Sequence, residues 1–409
     1  MILALLIYIF LVFCLLCYLF NQSRSISLGF IFVMFVGFYH SVGVLYYVLL
    51  EEKVWIYFPY LDSSAEDFFY AVSVSLLIIF SFMIGWFFSF KREKGGGKVD
   101  TYNLFKGMKS LELLLTSLSV VLFLVFFVFA GSGYIESSIG YDTEASVFRS
   151  LGHTSGILFM LVAGYAYSLK TSNKLYLILG FVVVVAYLSK GSRVGAIGPF
   201  LFYLGVYLAD PNKRLGLCFS AILVPLLMVF PLYIREGYYF GLMNLVGTFF
   251  SFDFWAYNYF EYLFRVIGNF SSSFFIFSDS LILVNEKFGV GDLFVSFDPR
   301  SGFSSGWTQV FEEYRVNSFI PFSSLAEMAG VSLLLCAVYY FLLGGVVGFL
   351  DKNINRGVYI YYLVFPSVFM YMILMHQYNL RSVNRFLYLS FFILITIYLI
   401  RKVFRHGKA

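Results

Sequence analysis

The stretch Phe68–Phe90, FFYAVSVSLLIIFSFMIGWFFSF, runs for 23 residues without one charged side chain. A helix rising about 1.5 Å per residue needs about 20 apolar residues to cross the hydrocarbon core of a bilayer. Ten further runs of this kind flank it, at 1–20, 28–50, 111–130, 151–169, 175–189, 195–209, 215–233, 328–350, 357–376 and 386–400. The whole chain shares the character of that stretch: of 409 residues, 60% are hydrophobic, 22% aromatic and 12% charged. A soluble globular domain carries about 25% charged residues, and a disordered chain has few aromatics, so both classes are excluded. The expected fold is all-α, a polytopic integral membrane protein of about 11 spans. Its organisation reads as spans one to eight over 1–233, a large loop over 234–327, and spans nine to eleven with a tail over 328–409. Asn21-Gln-Ser23 follows the first run with no basic flank before it, which predicts a retained helix and not a cleaved signal.

Orientation follows from Lys and Arg. The connections 21–27, 91–110, 170–174, 210–214, 351–356 and 401–409 hold 17 of the 28 basic residues. The other set, 51–67, 131–150, 190–194, 234–327 and 377–385, holds 11. Counting Glu112, at the start of run 111–130, with the first set, acids divide 5 against 18, so the first set is about +12 and the second about −7, summing to the net +5. The positive-inside rule makes the first set cytoplasmic, which puts the amino terminus outside and the tail inside.

No Lys, Arg, Asp or Glu falls in the middle of the eleven runs, so chemistry is expected at an interface. Gly344-xxx-Gly348 and Gly191-xxx-Gly195 match the small-residue pattern of close helix packing. Cys14, Cys17, Cys218 and Cys336 all lie in apolar runs and imply neither a disulfide framework nor a metal site. Walker A, His-Glu-x-x-His and Asp-x-Asp patterns are missing, so any reaction is expected to use an already activated substrate and no metal or cofactor.

The outer connections carry the unusual features. Loop 234–327 is aromatic-rich and reads as amphipathic helices on the membrane surface. Its stretch 266–284 is apolar, but Asp279 interrupts it, and it is read as interfacial or re-entrant. Eight of the eleven outer basic residues are Arg: Arg149, Arg193, Arg235, Arg265, Arg300, Arg315, Arg381 and Arg385. The planar guanidinium fork binds phosphate bidentately, so this bias points to a phosphate-bearing ligand. Pairing with the outer acids, for example Glu312 or Glu313 with Arg315, is the competing reading. Arg193 sits in the tight turn after Lys190-Gly-Ser, and Arg235 ends the eighth run beside Glu236. Glu327 opens the ninth run, where a carboxylate either favours the helix dipole or, if buried, becomes a base with a raised pKa. His376 ends the tenth run.

In layout the chain resembles the bacterial O-antigen polymerase (Wzy) family. The resemblance rests on the many apolar spans in about 400 residues, the turn Leu188-Ser-Lys-Gly-Ser-Arg193-Val-Gly, one large late loop, and its exit Pro321-Phe-Ser-Ser-Leu-Ala-Glu327-Met-Ala-Gly330. The resemblance implies a GT-C-like, metal-independent glycosyltransferase of the bacterial inner membrane, lipopolysaccharide biosynthesis, and an active site facing the periplasm. It implies transfer of a growing glycan from undecaprenyl pyrophosphate to a lipid-linked repeat unit. Catalytic residues would be Arg193, Arg235, Glu327 and His376, and substrate-binding ones Arg265, Arg300, Arg315, Arg381 and Arg385. Partners would be undecaprenyl-pyrophosphate-linked oligosaccharide, membrane lipid and a chain-length regulator protein, with no nucleic acid. An O-antigen ligase is expected to carry a His in the large loop, and 234–327 has none. A shape-and-division-type cell-wall polymerase would offer an external acidic residue. A lipid-linked oligosaccharide flippase would show two similar halves and a charged central cavity, and neither is visible.

Overall fold

The computed structural model describes residues 2–23, 27–50, 65–90, 109–131, 147–169, 174–285, 288–298, 307–316, 322–355, 361, 364–376 and 378–406. Helix makes up 92% of the structure, and there are no strands among the described residues. Five helices are long and apolar enough to cross a membrane: Leu28–Tyr46, Glu66–Phe90, Arg214–Gly237, Phe254–Val284 and Leu333–Ile354. Four of them fall on runs read from the sequence. Shorter apolar helices cover Leu5–Phe20, Leu115–Ala130, Lys174–Ser189 and Arg193–Ala209. The chain forms two compact units, Met1–Lys98 with Gly268–Ala409, and Val99–Ile267. The stretch 234–327 contributes to both.

In the first unit the helices Ala65–Phe90 and Leu333–Asn355 form the tightest pair. A side chain at Gly344 would collide with the Phe82 carbonyl, one at Gly348 with that of Trp86, and one at Gly85 with that of Phe341. The Gly344-xxx-Gly348 pattern thus lets two backbones touch. The two helices run parallel: Phe32 stacks on Phe82 and lies against Tyr340, while further along Trp86 Nε1 donates to Asp351 Oδ2 at 2.8 Å. Asp351 also accepts the amides of Leu28 (2.8 Å) and Gly29 (3.0 Å), the first residues of helix Leu28–Val33. The start of helix Leu28–Val33 and the last turns of helices Ala65–Phe90 and Leu333–Asn355 therefore meet at one end of this unit. At another level, Ser324 N donates to Tyr378 O at 3.0 Å, joining the start of helix Ser324–Val331 to the start of helix Leu380–His406.

In the second unit, Tyr187 Oη donates to His153 O at 2.6 Å, and Lys213 Nζ reaches Ser168 Oγ at 3.4 Å. The turn after Ser189 thus meets the start of helix Val147–Leu169, and the turn after Ala209 meets its end.

Three expectations change. The ninth run is not one helix from 328: Ser332 adopts extended backbone (φ −170°, ψ 134°), ends helix Ser324–Val331 and starts helix Leu333–Asn355 by accepting Cys336 N at 2.9 Å. Gly330 and Ser332 are weak helix formers, and Gly330 lies directly on Val284. The stretch 266–284 is not interrupted at Asp279 but belongs to the continuous helix Tyr259–Asn285. Asp279 is therefore an ionisable side chain inside a helix of spanning length, and it is buried. Finally, Gly191-xxx-Gly195 is not a helix-packing pair, because Gly191 lies in a turn with φ +66°.

Candidate functional site

The candidate residues fall into one cluster in each unit. In the first unit, Ser323 and Ser324 anchor helix Ser324–Val331. Ser323 N donates to Ser280 Oγ at 2.9 Å, and Ser324 Oγ to Met375 O at 2.5 Å. This places Glu327, one turn further on, beneath the start of helix Leu380–His406, where its Oε1 accepts the Leu380 amide. Glu327 is 0% exposed. Its Oε2 has no hydrogen-bond partner among the described residues. Burial raises its pKa to about 8, opposed by the Leu380 amide and by the Ser296 hydroxyl. That hydroxyl is near enough to favour the charge but makes no hydrogen bond of good geometry.

His376 follows the carbonyl that Ser324 holds, so the same turn carries it. Its ring is buried, stacked on Phe35 with centroids 6.2 Å apart and tilted against Tyr39 at 5.1 Å. Arg381, next to Leu380, is among the largest fully buried side chains, whereas Arg385, one turn on, is exposed. Asn379 Oδ1 caps the helix by accepting Ser382 N at 2.9 Å. Glu327, His376 and Arg381 are thus gathered at one helix start. Arg315 is paired with Glu312 at 2.6 Å, the competing reading of that residue. Arg300 lies outside the described residues.

In the second unit the turn Lys190–Ser192 is closed by Gly191 N to Leu188 O (2.9 Å) and Ser192 N to Tyr187 O (2.9 Å). Ser192 then caps helix Arg193–Ala209, and Arg193 is its first residue, half-buried. Arg235, in the last turn of helix Arg214–Gly237, donates from Nε to Gly191 O at 2.6 Å. Gly191 also packs against its stem, so Arg193 and Arg235 share one turn. Arg265 is engaged by Glu236 and Glu261 and lies over the Tyr262 ring at 4.6 Å. Its charge is thereby neutralised within the protein.

Sequence reasoning passed over Asn384 and Ser296 and read Asp279 only as an interruption; all three are nearly inaccessible to solvent. Asn384 lies three residues after Arg381, so the two share a helix face, and this spacing was its one legible signal. Glu327 can act as a base near neutral pH. One oxygen is fixed by a backbone amide and the other is available to a proton. No protein-family model, curated protein or solved structure matches the chain.

Proposed function

We propose that this protein is a lipid-linked oligosaccharide repeat-unit polymerase of the inner membrane, acting at its periplasmic face. The observation that carries the reading is the buried Glu327, held through one oxygen by the Leu380 amide with the other oxygen unpartnered among the described residues. Glu327 takes the proton of an acceptor sugar hydroxyl. That oxygen bonds to the anomeric carbon of the donor glycan. The bond from this carbon to the pyrophosphate breaks, and its electron pair leaves with undecaprenyl pyrophosphate. Separately, the turn of the second unit that carries Arg193 and Arg235 is assigned a phosphate-binding role of its own, through their guanidinium groups.

Eleven crossings fit this scheme. Parallel helices Ala65–Phe90 and Leu333–Asn355 call for an odd number of crossings between them. Five apolar runs lie there, so helix Tyr259–Asn285 is assigned to enter the membrane without emerging on the other face.

A null strain tests the reading. A polymerase null still caps its lipid A with one repeat unit. A flippase or ligase null leaves lipid A uncapped, and an uncapped gel pattern would reject the proposal.

A further inference from the structure

Three helices of the first unit, Val290–Phe297, Ser324–Val331 and Leu380–His406, pack against one another in pairs. Along the last of them, Leu380, Asn384 and Tyr388 follow at spacings of four and so lie on one face. The two ends of this stripe are accounted for. The Leu380 amide binds Glu327, and Tyr388 Oη donates to Phe297 O at 2.5 Å. Asn384 sits between them, 1% exposed, and neither atom of its amide has a partner among the described residues. Ser296, beside Phe297, is 0% exposed, and its hydroxyl lies near Glu327 without a hydrogen bond of good geometry. Glu327 Oε2 is the third such group.

A buried polar group left without a good hydrogen bond carries its desolvation cost uncompensated, so three such groups around one helix stripe call for a ligand. Their chemistry narrows it. A phosphate would face a carboxylate and no positive partner in this trio. A divalent cation would find only one carboxylate. A lipid tail would leave every polar atom unpaired. A ring hydroxyl both donates and accepts, as an amide, a hydroxyl and a carboxylate require.

We propose that Asn384, Ser296 and Glu327 Oε2 form a subsite for two neighbouring hydroxyls of an uncharged sugar. Asn384 holds one hydroxyl, and Glu327 meets the other. The subsite deepens the polymerase reading, and rests on it in naming this sugar the acceptor.

The test uses full-length protein in nanodiscs. Asn384→Leu is nearly isosteric and removes the unpaired amide, so it should melt no lower than wild type, whereas loss of a structural Asn would lower the melting point. Saturation-transfer NMR with methyl glycosides of neutral hexoses and their monodeoxy derivatives should find a glycoside that binds wild type. Its signal should weaken in one deoxy derivative and in both Asn384→Leu and Ser296→Ala. With the lipid-linked repeat unit, Asn384→Leu should raise the acceptor KM about 10-fold, more than it lowers kcat. Polymer from wild type with an unchanged KM in Asn384→Leu overturns the subsite and leaves the polymerase. Glycoside binding that depends on Asn384, without polymer from wild type, overturns the polymerase and leaves the subsite. No binding of any glycoside to wild type overturns the subsite outright.

Discussion

Glu327 Oε1 accepts the backbone N–H of Leu380, 53 residues further along the chain. Asp351 makes the same kind of contact at helix Leu28–Val33, but there two amides and the Trp86 indole occupy both oxygens. Both carboxylates are buried at helix starts, where the dipole favours them. Of these two, it is Glu327 that keeps an oxygen without a hydrogen bond among the described residues. That difference separates a carboxylate that builds the fold from one available for chemistry.

The pKa of Glu327, raised from 4.5 to about 8, sets a pH dependence. A base must be unprotonated, so polymerisation should climb as pH rises towards about 8 and then level off. Stability should move the other way. A raised folded-state pKa stabilises the fold fully below the unfolded value of 4.5, and this is lost as pH rises through about 8. Glu327→Gln should abolish the activity and flatten the fall in melting temperature between pH 5 and 8, measured on purified protein at several pH values. An unchanged melting profile would remove Glu327 from this role.

Asp351→Ala should destabilise the first unit by about 3 kcal/mol or more, because it orphans three donors in a buried position. Asp351→Asn, which keeps one acceptor oxygen, should cost less. Thermal unfolding in detergent orders the two variants against wild type.

The turn that carries Arg193 depends on Gly191 and Arg235. A Cβ at Gly191 would stand 2.8 Å from Arg235 Cγ at φ +66°, so Gly191→Ala should cost about 1–2 kcal/mol and impair activity. Arg235→Lys keeps the charge but loses the Nε donor to Gly191 O, so it too should be impaired. Arg193→Ala should slow polymerisation by about 10²–10³. Rates in membranes at matched expression measure all three, and near-normal polymer from Arg193→Ala would leave that residue an interfacial anchor.

Topology is open to thiol labelling in intact spheroplasts. A cysteine at Lys98 should be shielded from an impermeant reagent, and one at Asp298 should react. The reverse pattern would invert every assignment to the outer face.

Apolar runs made the helices legible, because about 20 residues without charge have one stable form in lipid. The break at Ser332 was not, since an apolar neighbourhood on both sides hides one extended residue. Asp279 read as an interruption, yet a buried carboxylate inside a helix is a packing outcome that composition does not reveal. Glu327 and Arg193 stood out through charge at run ends. Asn384 did not, being neutral and defined by the helix face it shares with Leu380 and Tyr388. The Arg265 pairing with Glu261 follows the i,i+4 spacing of one helix, but its pairing with Glu236 joins a helix end to a later helix, which no local spacing announces.

The central claim is tested most directly by purified wild type and Glu327→Gln in nanodiscs, each given its lipid-linked repeat unit and followed by gel at pH 8. Wild type should build a ladder of polymer with release of undecaprenyl pyrophosphate, and Glu327→Gln, folded to the same melting point or higher, should build none. A full ladder from Glu327→Gln, or none from folded wild type, would contradict the account.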